Sequence, residues 1–392
     1  MAIGLLRRVL FSGILASALF SPDARAQEEL KLGAIGPLSG GGTAWGLALN
    51  RGVQMAVDEV NAAGGLKVGD KTYKVRLIML DDTYTSTGGR TAADRLINLE
   101  KVKFIVGPVG SPAALGALSA TGPAGVLLVS NGFNTAILKN EQKAPFNFRV
   151  IDTTIEFGPA MVAWMHKAHP EVKKVGLLSP NDATGQAVIP ILKAAYEANG
   201  FEVWTEVFDR GLQEFTPLLT RMISQGVDLF DINSNSPGDA GLMIKQARQA
   251  GYKGLIWQVG GPAVDEMISV LGPLSEGFLS LNMFDFNDPV GQKFAETYHA
   301  KWSGIINAQA PLWYNAGRIT LEAIRRGGSL EVPPVRDALE KMAGFDAGII
   351  GPVAWGGMAD YGVAHQLLVP FWIVEVKNGK ETVLAKMNPE QR

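Results

Sequence analysis

From residue 30 onward the chain alternates two patterns. Short, almost wholly apolar runs of strand length are separated by longer stretches whose apolar residues recur every three to four positions. Residues 30–35, 73–80, 104–106 and 126–129 are of the first kind. Among the second, 44–62 sets Leu49, Val53, Ala56, Val57 and Val60 on one helical face and stops at Gly64-Gly65, and 86–99 and 112–120 read as further helices. The rhythm restarts after Arg149, with strands at 175–178, 202–207, 229–232 and 255–259 and helices near 186–199, 215–225 and 239–250. Near-continuously apolar strands interleaved with helices predict a parallel sheet covered on both faces, and this chain predicts two of them in series. Helices at 290–303, 313–325 and 335–342 and a strand-rich tail at 371–376 are too little for a third domain. They are expected to complete the two sheets, so that the chain crosses between lobes more than once.

Composition fits that division. At 392 residues the chain is long for one core and suited to two domains. A net charge of −2 gives no reason to expect nucleic acid as a partner. The absence of cysteine excludes disulfides, thiolate zinc sites, cysteine nucleophiles and a lipid-anchored N-terminal cysteine. The first 26 residues are different material: Arg7 and Arg8, then an apolar run over 9–20 too short to span a bilayer, then Ala24-Arg25-Ala26 as a small-x-small cleavage site. This predicts a signal peptide over 1–26. Its removal takes three Arg and one Asp and moves the charge from −2 to −4. No later stretch reaches 18 uninterrupted apolar residues, so the mature protein is expected to be soluble, in the periplasm.

In open α/β sheets, ligands collect beyond the carboxyl ends of strands, where helix N-termini offer unpaired N–H groups. Several loops here have the composition for it. Gly36-Pro37-Leu38-Ser39-Gly40-Gly41-Gly42-Thr43-Ala44-Trp45-Gly46 reads either as a glycine-rich ligand loop, with Thr43 as cap and Trp45 in the first helical turn, or as a plain turn with a core tryptophan. It is neither a dinucleotide fingerprint nor a P-loop. Ser111-Pro112 reads as a helix cap followed by proline, with a hydroxyl also available to an anion. Ser130-Asn131-Gly132-Phe133-Asn134 follows an apolar strand, and polar residues recur at second-lobe strand ends in 181–185 and 233–236, with Gly260-Gly261-Pro262 at a third. Paired carboxylates, a nucleophile elbow and a histidine cluster are missing; His166, His169, His299 and His365 are scattered. Binding is therefore expected rather than catalysis, with no cofactor and no metal.

These loops resemble those of the branched-chain-amino-acid-type solute-binding proteins of ABC transporters. The resemblance is carried by Gly36-Pro37-Leu38-Ser39-Gly40 through Trp45-Gly46, Asn61-Ala62-Ala63-Gly64-Gly65, Val106-Gly107 before Ser111, Phe148-Arg149 and Ile350-Gly351-Pro352. It implies a type I periplasmic binding fold: two doubly wound parallel-sheet lobes joined by a three-segment hinge, lobe 1 from 27–148 plus 278–353 and lobe 2 from 149–277 plus 354–392. It also implies closure of the lobes around a small molecule. Carried over position by position, the family's ligand contacts fall on Trp45, Ser111, Gly132, Phe133 and Asn134 in the first lobe, and on or near Thr184, Asn235 and Gly260 in the second. Amino-acid binders of this type place an acidic residue after the 255–259 strand to hold the ammonium; here Gly260 and Gly261 stand there. The expected ligand is thus an amino acid or related organic carboxylate, or alternatively an amine-free carboxylate, aromatic or not. The expected partner is a membrane permease, or alternatively a membrane sensor, and the expected state is a monomer.

Overall fold

The computed structural model describes residues 27–139 and 145–389; the signal peptide expected over 1–26 lies outside them. Its strands are β1 (Glu28–Gly36), β2 (Leu66–Val68), β3 (Lys71–Asp81), β4 (Phe104–Val109), β5 (Leu127–Asn131), β6 (Asn147–Arg149), β7 (Lys174–Pro180), β8 (Glu202–Phe208), β9 (Leu229–Asp231), β10 (Leu255–Gln258), β11 (Phe278–Asn282), β12 (Trp355–Gly356), β13 (Gln366–Leu367), β14 (Phe371–Lys377) and β15 (Lys380–Met387). They form two sheets, ordered β12-β13-β6-β5-β4-β1-β3-β2 and β15-β14-β11-β10-β9-β7-β8. The central strands of both are parallel, and antiparallel pairs are confined to the edges. Every residue of β4 is buried, as a strand between two helical layers must be.

Each sheet has its own core. In the first lobe Leu49, Val53 and Ala56 of the helix Thr43–Ala62 meet Trp313, Ala316 and Ile319 of the helix Gln309–Gly327, against Phe104, Val106 and Val129 of the sheet. In the second lobe Phe157 and Met161 cover one sheet face, while Phe215, Leu219 and Ile244 cover the other.

The chain passes between the sheets three times, at 150–153, after Asn282 and at 368–370. This corrects the expected lobe boundaries. The β11 strand, assigned to the first lobe from the sequence, pairs with β10 in the second sheet, Ile256 opposite Phe278. Conversely, β12 and β13, assigned to the second lobe with the tail, extend the first sheet from β6. β10 needs a parallel neighbour to pair its outer edge and bury Trp257, and β11, a buried apolar strand, supplies it. Two crossings are tied together where Asp152 accepts from the Val369 N–H, 3.1 Å.

Candidate functional site

The carboxyl ends of β1, β4 and β5 face those of β7, β9 and β10 across the cleft, and the lobes are closed on it. Between them lies a narrow cavity of about 20 Å³. From the first lobe it is lined by Trp45, Tyr84, Val109, Gly110, Asn131, Gly132, Phe133 and Gln309; from the second lobe and the first crossing, by Ile151, Thr184, Ser234, Gly261 and Pro262. The wall is chiefly aromatic and aliphatic with a few polar groups, the usual make-up of a small-molecule site.

Four of the eight ligand contacts that the resemblance implies line this space, Trp45, Gly132, Phe133 and Thr184, as do Asn131, Ser234, Gly261 and Pro262 of the expected loops. Trp45 belongs to the first-lobe core and to the cavity wall, and its Nε1–H donates across the cleft to the Pro262 carbonyl, 3.3 Å. Thr43 is not its helix's cap; Gly42 is, and the Thr43 hydroxyl donates back to the Gly40 carbonyl, 2.7 Å.

The other four stand behind the wall. Ser111 is fully buried at the first helical position of Ser111–Ala124, whose cap is Gly110, and its Oγ accepts from the Asn134 N–H, 2.9 Å. It thus shapes the 131–134 loop and does not face the cavity. Asn134 spends its amide on neighbours: Nδ2 donates across the cleft to the Ala183 carbonyl, 2.9 Å, and Oδ1 accepts from the Ala136 N–H, 2.9 Å. Asn235 is turned inward, its Nδ2 on the Leu178 carbonyl at 3.4 Å. Gly260 lies behind Phe133; a Cβ there would come 2.8 Å from the ring, so glycine is what lets the two lobes close at this point.

Several lining residues escaped the sequence reading. Tyr84 follows Asp81-Asp82-Thr83, a stretch that reads as a polar turn, and it enters the cavity on a left-handed backbone, φ 59°. Its ring leans on Trp45 at 5.8 Å, and Gly110 makes room for it, a Cβ there falling 2.3 Å from the phenol oxygen. Burial pushes the phenol up to about 12, so it stays a neutral hydrogen-bonding group, with the Thr184 hydroxyl beside it. Ser234, within the expected 233–236 loop and one position before Asn235, also has a left-handed backbone, φ 52°. Gln309 arrives from the far helix; its Oε1 accepts from Asn131 Nδ2 at 3.2 Å and Trp313 Nε1 at 3.3 Å. The 131–134 loop is held from beneath by buried Arg149, whose Nη1 donates to the Gly132 and Asn134 carbonyls at 3.1 and 3.3 Å.

No lining side chain carries a charge. Two second-lobe acids behind the wall are engaged: Asp182 caps the helix Ala183–Ala198 through the Thr184 and Gly185 N–H groups and accepts from Arg210 Nε at 2.6 Å. Asp239 is bonded to Ser236 and lies 4.0 Å from the same guanidinium. Arg210 in turn covers the Tyr84 ring, 4.7 Å from its centre, and donates to the Ser234 carbonyl at 3.4 Å. Among the described residues no group of acids, histidines or cysteines is arranged to hold a metal, and no helix is long and apolar enough to cross a membrane.

A family profile described as a periplasmic binding protein matches residues 29–381. The leucine-, isoleucine-, valine-, threonine- and alanine-binding protein of Pseudomonas aeruginosa is 25% identical over 330 residues, 83% of this chain and 86% of that one. A leucine-binding protein from Thermotoga maritima superposes with a TM-score of 0.80 at 26% identity, over 92% of this chain and 99% of that one. A solute-binding protein from R. palustris in complex with benzoate has a TM-score of 0.79 at 22% identity, over 93% and 98%, and shares the fold. With both lobes covered by the match, the chain belongs to the periplasmic binding protein family, in its branched-chain-amino-acid type.

Proposed function

We propose that this chain is the exported, monomeric solute-binding component of an ABC importer, and that it closes on a small, flat, amine-free carboxylate and presents it to a membrane permease. The export signal is the pattern over 1–26, and the lack of cysteine argues against a lipid anchor. The observation that carries the ligand reading is the uncharged wall. An α-amino acid enclosed here would bring an ammonium group to a cavity whose lining holds no carboxylate; the two second-lobe acids behind the wall already share Arg210, and Asp82, behind Tyr84, is buried and raised to about 7. Burying an unpaired ammonium is costly. A carboxylate fares better: the helix Ser111–Ala124 opens at Gly110, on the cavity wall, with no side-chain cap, so that the positive end of its dipole lies behind Gly110 and beside the neutral Tyr84 phenol. Trp45, Phe133 and Pro262 suit a flat apolar body. The benzoate complex of the R. palustris protein is consistent with this fold closing on such an acid.

The second reading, an aliphatic amino acid, is favoured by what the P. aeruginosa and T. maritima relatives are named for. Thermal-shift titration of the exported protein separates the two. At about 100 times its dissociation constant a ligand adds about 2.7 kcal/mol of stability. Stabilisation by amine-free acids and not by leucine, isoleucine or valine is the expected result; the reverse selects the amino-acid reading.

A further inference from the structure

We infer that Ser234 is the second-lobe hydrogen-bonding contact of the bound solute, and that the solute carries an uncharged oxygen, a hydroxyl or keto group, on the side that meets this residue. The inference rests on the amine-free-acid reading and adds to it a second polar group on the ligand.

The observations on Ser234 converge. It lines the cavity, is 3% exposed, and its Oγ has no hydrogen-bond partner in the protein. A hydroxyl shut away from water and left unpaired carries a desolvation penalty that a ligand atom relieves. Its backbone sits at φ 52°, a conformation unfavourable for a residue with a side chain and one that gathers at ligand sites. That backbone is pinned at both ends: the N–H donates to the Gly260 carbonyl at 3.2 Å and the carbonyl accepts from Arg210 Nη2 at 3.4 Å. The hydroxyl is the group left to serve the cavity. The Thr184 hydroxyl of the same lobe is also unpartnered, but it sits in the first turn of the helix Ala183–Ala198 beside the Tyr84 phenol, whereas Ser234 is held in the cavity wall on a left-handed backbone.

The charge behind this wall decides what kind of group it takes. Asp182 and Asp239 share one guanidinium there, at 2.6 and 4.0 Å. A second carboxylate on the ligand would approach two acids against one base. A hydroxyl or keto oxygen meets no such repulsion, pairs with a hydroxyl that both donates and accepts, and adds only one atom to a narrow space.

The test is calorimetric titration of the exported protein with acids matched except for one oxygen: benzoate against 3- and 4-hydroxybenzoate, and 4-methylpentanoate against 4-methyl-2-oxopentanoate. The wild type is expected to bind the oxygen-bearing member of at least one pair about ten-fold more tightly. Ser234→Gly removes the hydroxyl while suiting the left-handed backbone, and is expected to bring the ratio within that pair to about one. Because the readout is a ratio, a general loss of stability does not imitate it. Equal binding of the members of every pair by the wild type overturns the inference. So does a Ser234→Gly protein that weakens both members alike and keeps their ratio, since Ser234 would then be structural or hold the carboxylate. If leucine binds and none of these acids does, the amine-free reading itself fails; if acids bind without preference for the oxygen, that reading stands and the inference alone fails.

Discussion

Tyr84 and Ser234 reach the cavity from opposite lobes on the same left-handed backbone, and the surroundings over-determine both. The Tyr84 ring is wedged between Trp45 and Arg210 and occupies the space that a side chain at Gly110 would need. Gly110→Ala therefore has a definite consequence: its Cβ would sit 2.3 Å from the phenol oxygen, on a backbone at φ 84°. The expected outcome is a stability loss of about 1–3 kcal/mol in denaturant melts, together with weakened solute binding as Tyr84 is displaced. Trp45→Ala reports on a residue with two duties. Being 2% exposed and part of the first-lobe core, it is expected to cost about 3–5 kcal/mol of stability. As a wall of the cavity it is also expected to cost about 1–3 kcal/mol of binding. Loss of stability with affinity intact would leave Trp45 a core residue only. At this scale the sequence was half legible. Trp45, Gly132, Phe133 and Thr184 follow strand ends and were found there, whereas Ser111-Pro112 signals a cap so strongly that the one-residue shift to Gly110 was invisible. Ser234 lies in the 233–236 loop that the sequence points to, one position from the expected contact, whereas Tyr84 is not legible, because a non-glycine residue at positive φ leaves no mark in composition, nor is Gln309, which comes from a helix far along the chain.

Between elements, the contact with most bearing on closure is Arg210, after β8, over the ring of Tyr84, after β3. The guanidinium is oriented by Asp182 and Asp239 from its own lobe, so it is prepared before the first-lobe ring arrives. A partly desolvated cation over an aromatic face is worth about 0.5–2 kcal/mol, and here it is available only when the lobes meet. Tyr84→Leu and Arg210→Met are each expected to weaken solute binding, mostly through faster dissociation. In a double-mutant cycle their effects should fall short of additive by about 0.5–2 kcal/mol. Additive losses would mean that Arg210 serves only its own lobe, by neutralising Asp182 and Asp239. Element order was the most legible level of this protein: the alternation of apolar runs and amphipathic stretches corresponds to most of the strands and helices found, though it leaves out the helices Thr154–Ala168 and Val264–Leu271 and the strand β11. Sheet membership late in the chain was not. Nothing local in Phe278-Leu279-Ser280-Leu281 says which of two similar sheets it joins; that is decided by the open edge of β10, some twenty residues earlier. The two-residue strands β12 and β13 carry too little pattern to be seen at all.

Across the whole molecule, both lobes bury carboxyl groups, and this gives the fold a pH dependence with a definite sign. Burial pushes Asp82 of the first lobe up to about 7, and Asp231 in the middle of the second sheet up to about 8. It likewise raises Asp265 to about 6, and Glu266 and Glu381 to about 7. In the unfolded chain such groups ionise near pH 4. Between about pH 4 and pH 8 the native state thus binds more protons than the unfolded state. The stability this represents is fully present below about pH 4 and is lost as pH rises through the raised values. Acids held below their ordinary value act oppositely, as Glu322 does through its hydrogen bond from Arg325, and weaken the fold as pH falls through their lowered values. The melting temperature is therefore expected to be highest near pH 5 and to fall toward pH 8 at constant ionic strength. Asp231→Asn tests the cause. The carboxyl accepts from the Tyr196 hydroxyl at 2.9 Å and the Val259 N–H at 3.2 Å, and a near-isosteric amide fills the same place without titrating. The variant should melt with a shallower decline between pH 6 and 8 than the wild type. A wild-type melting temperature that rises over that interval, or an Asp231→Asn profile parallel to it, would mean that this carboxyl is not held protonated by the second sheet and that the pH response originates elsewhere.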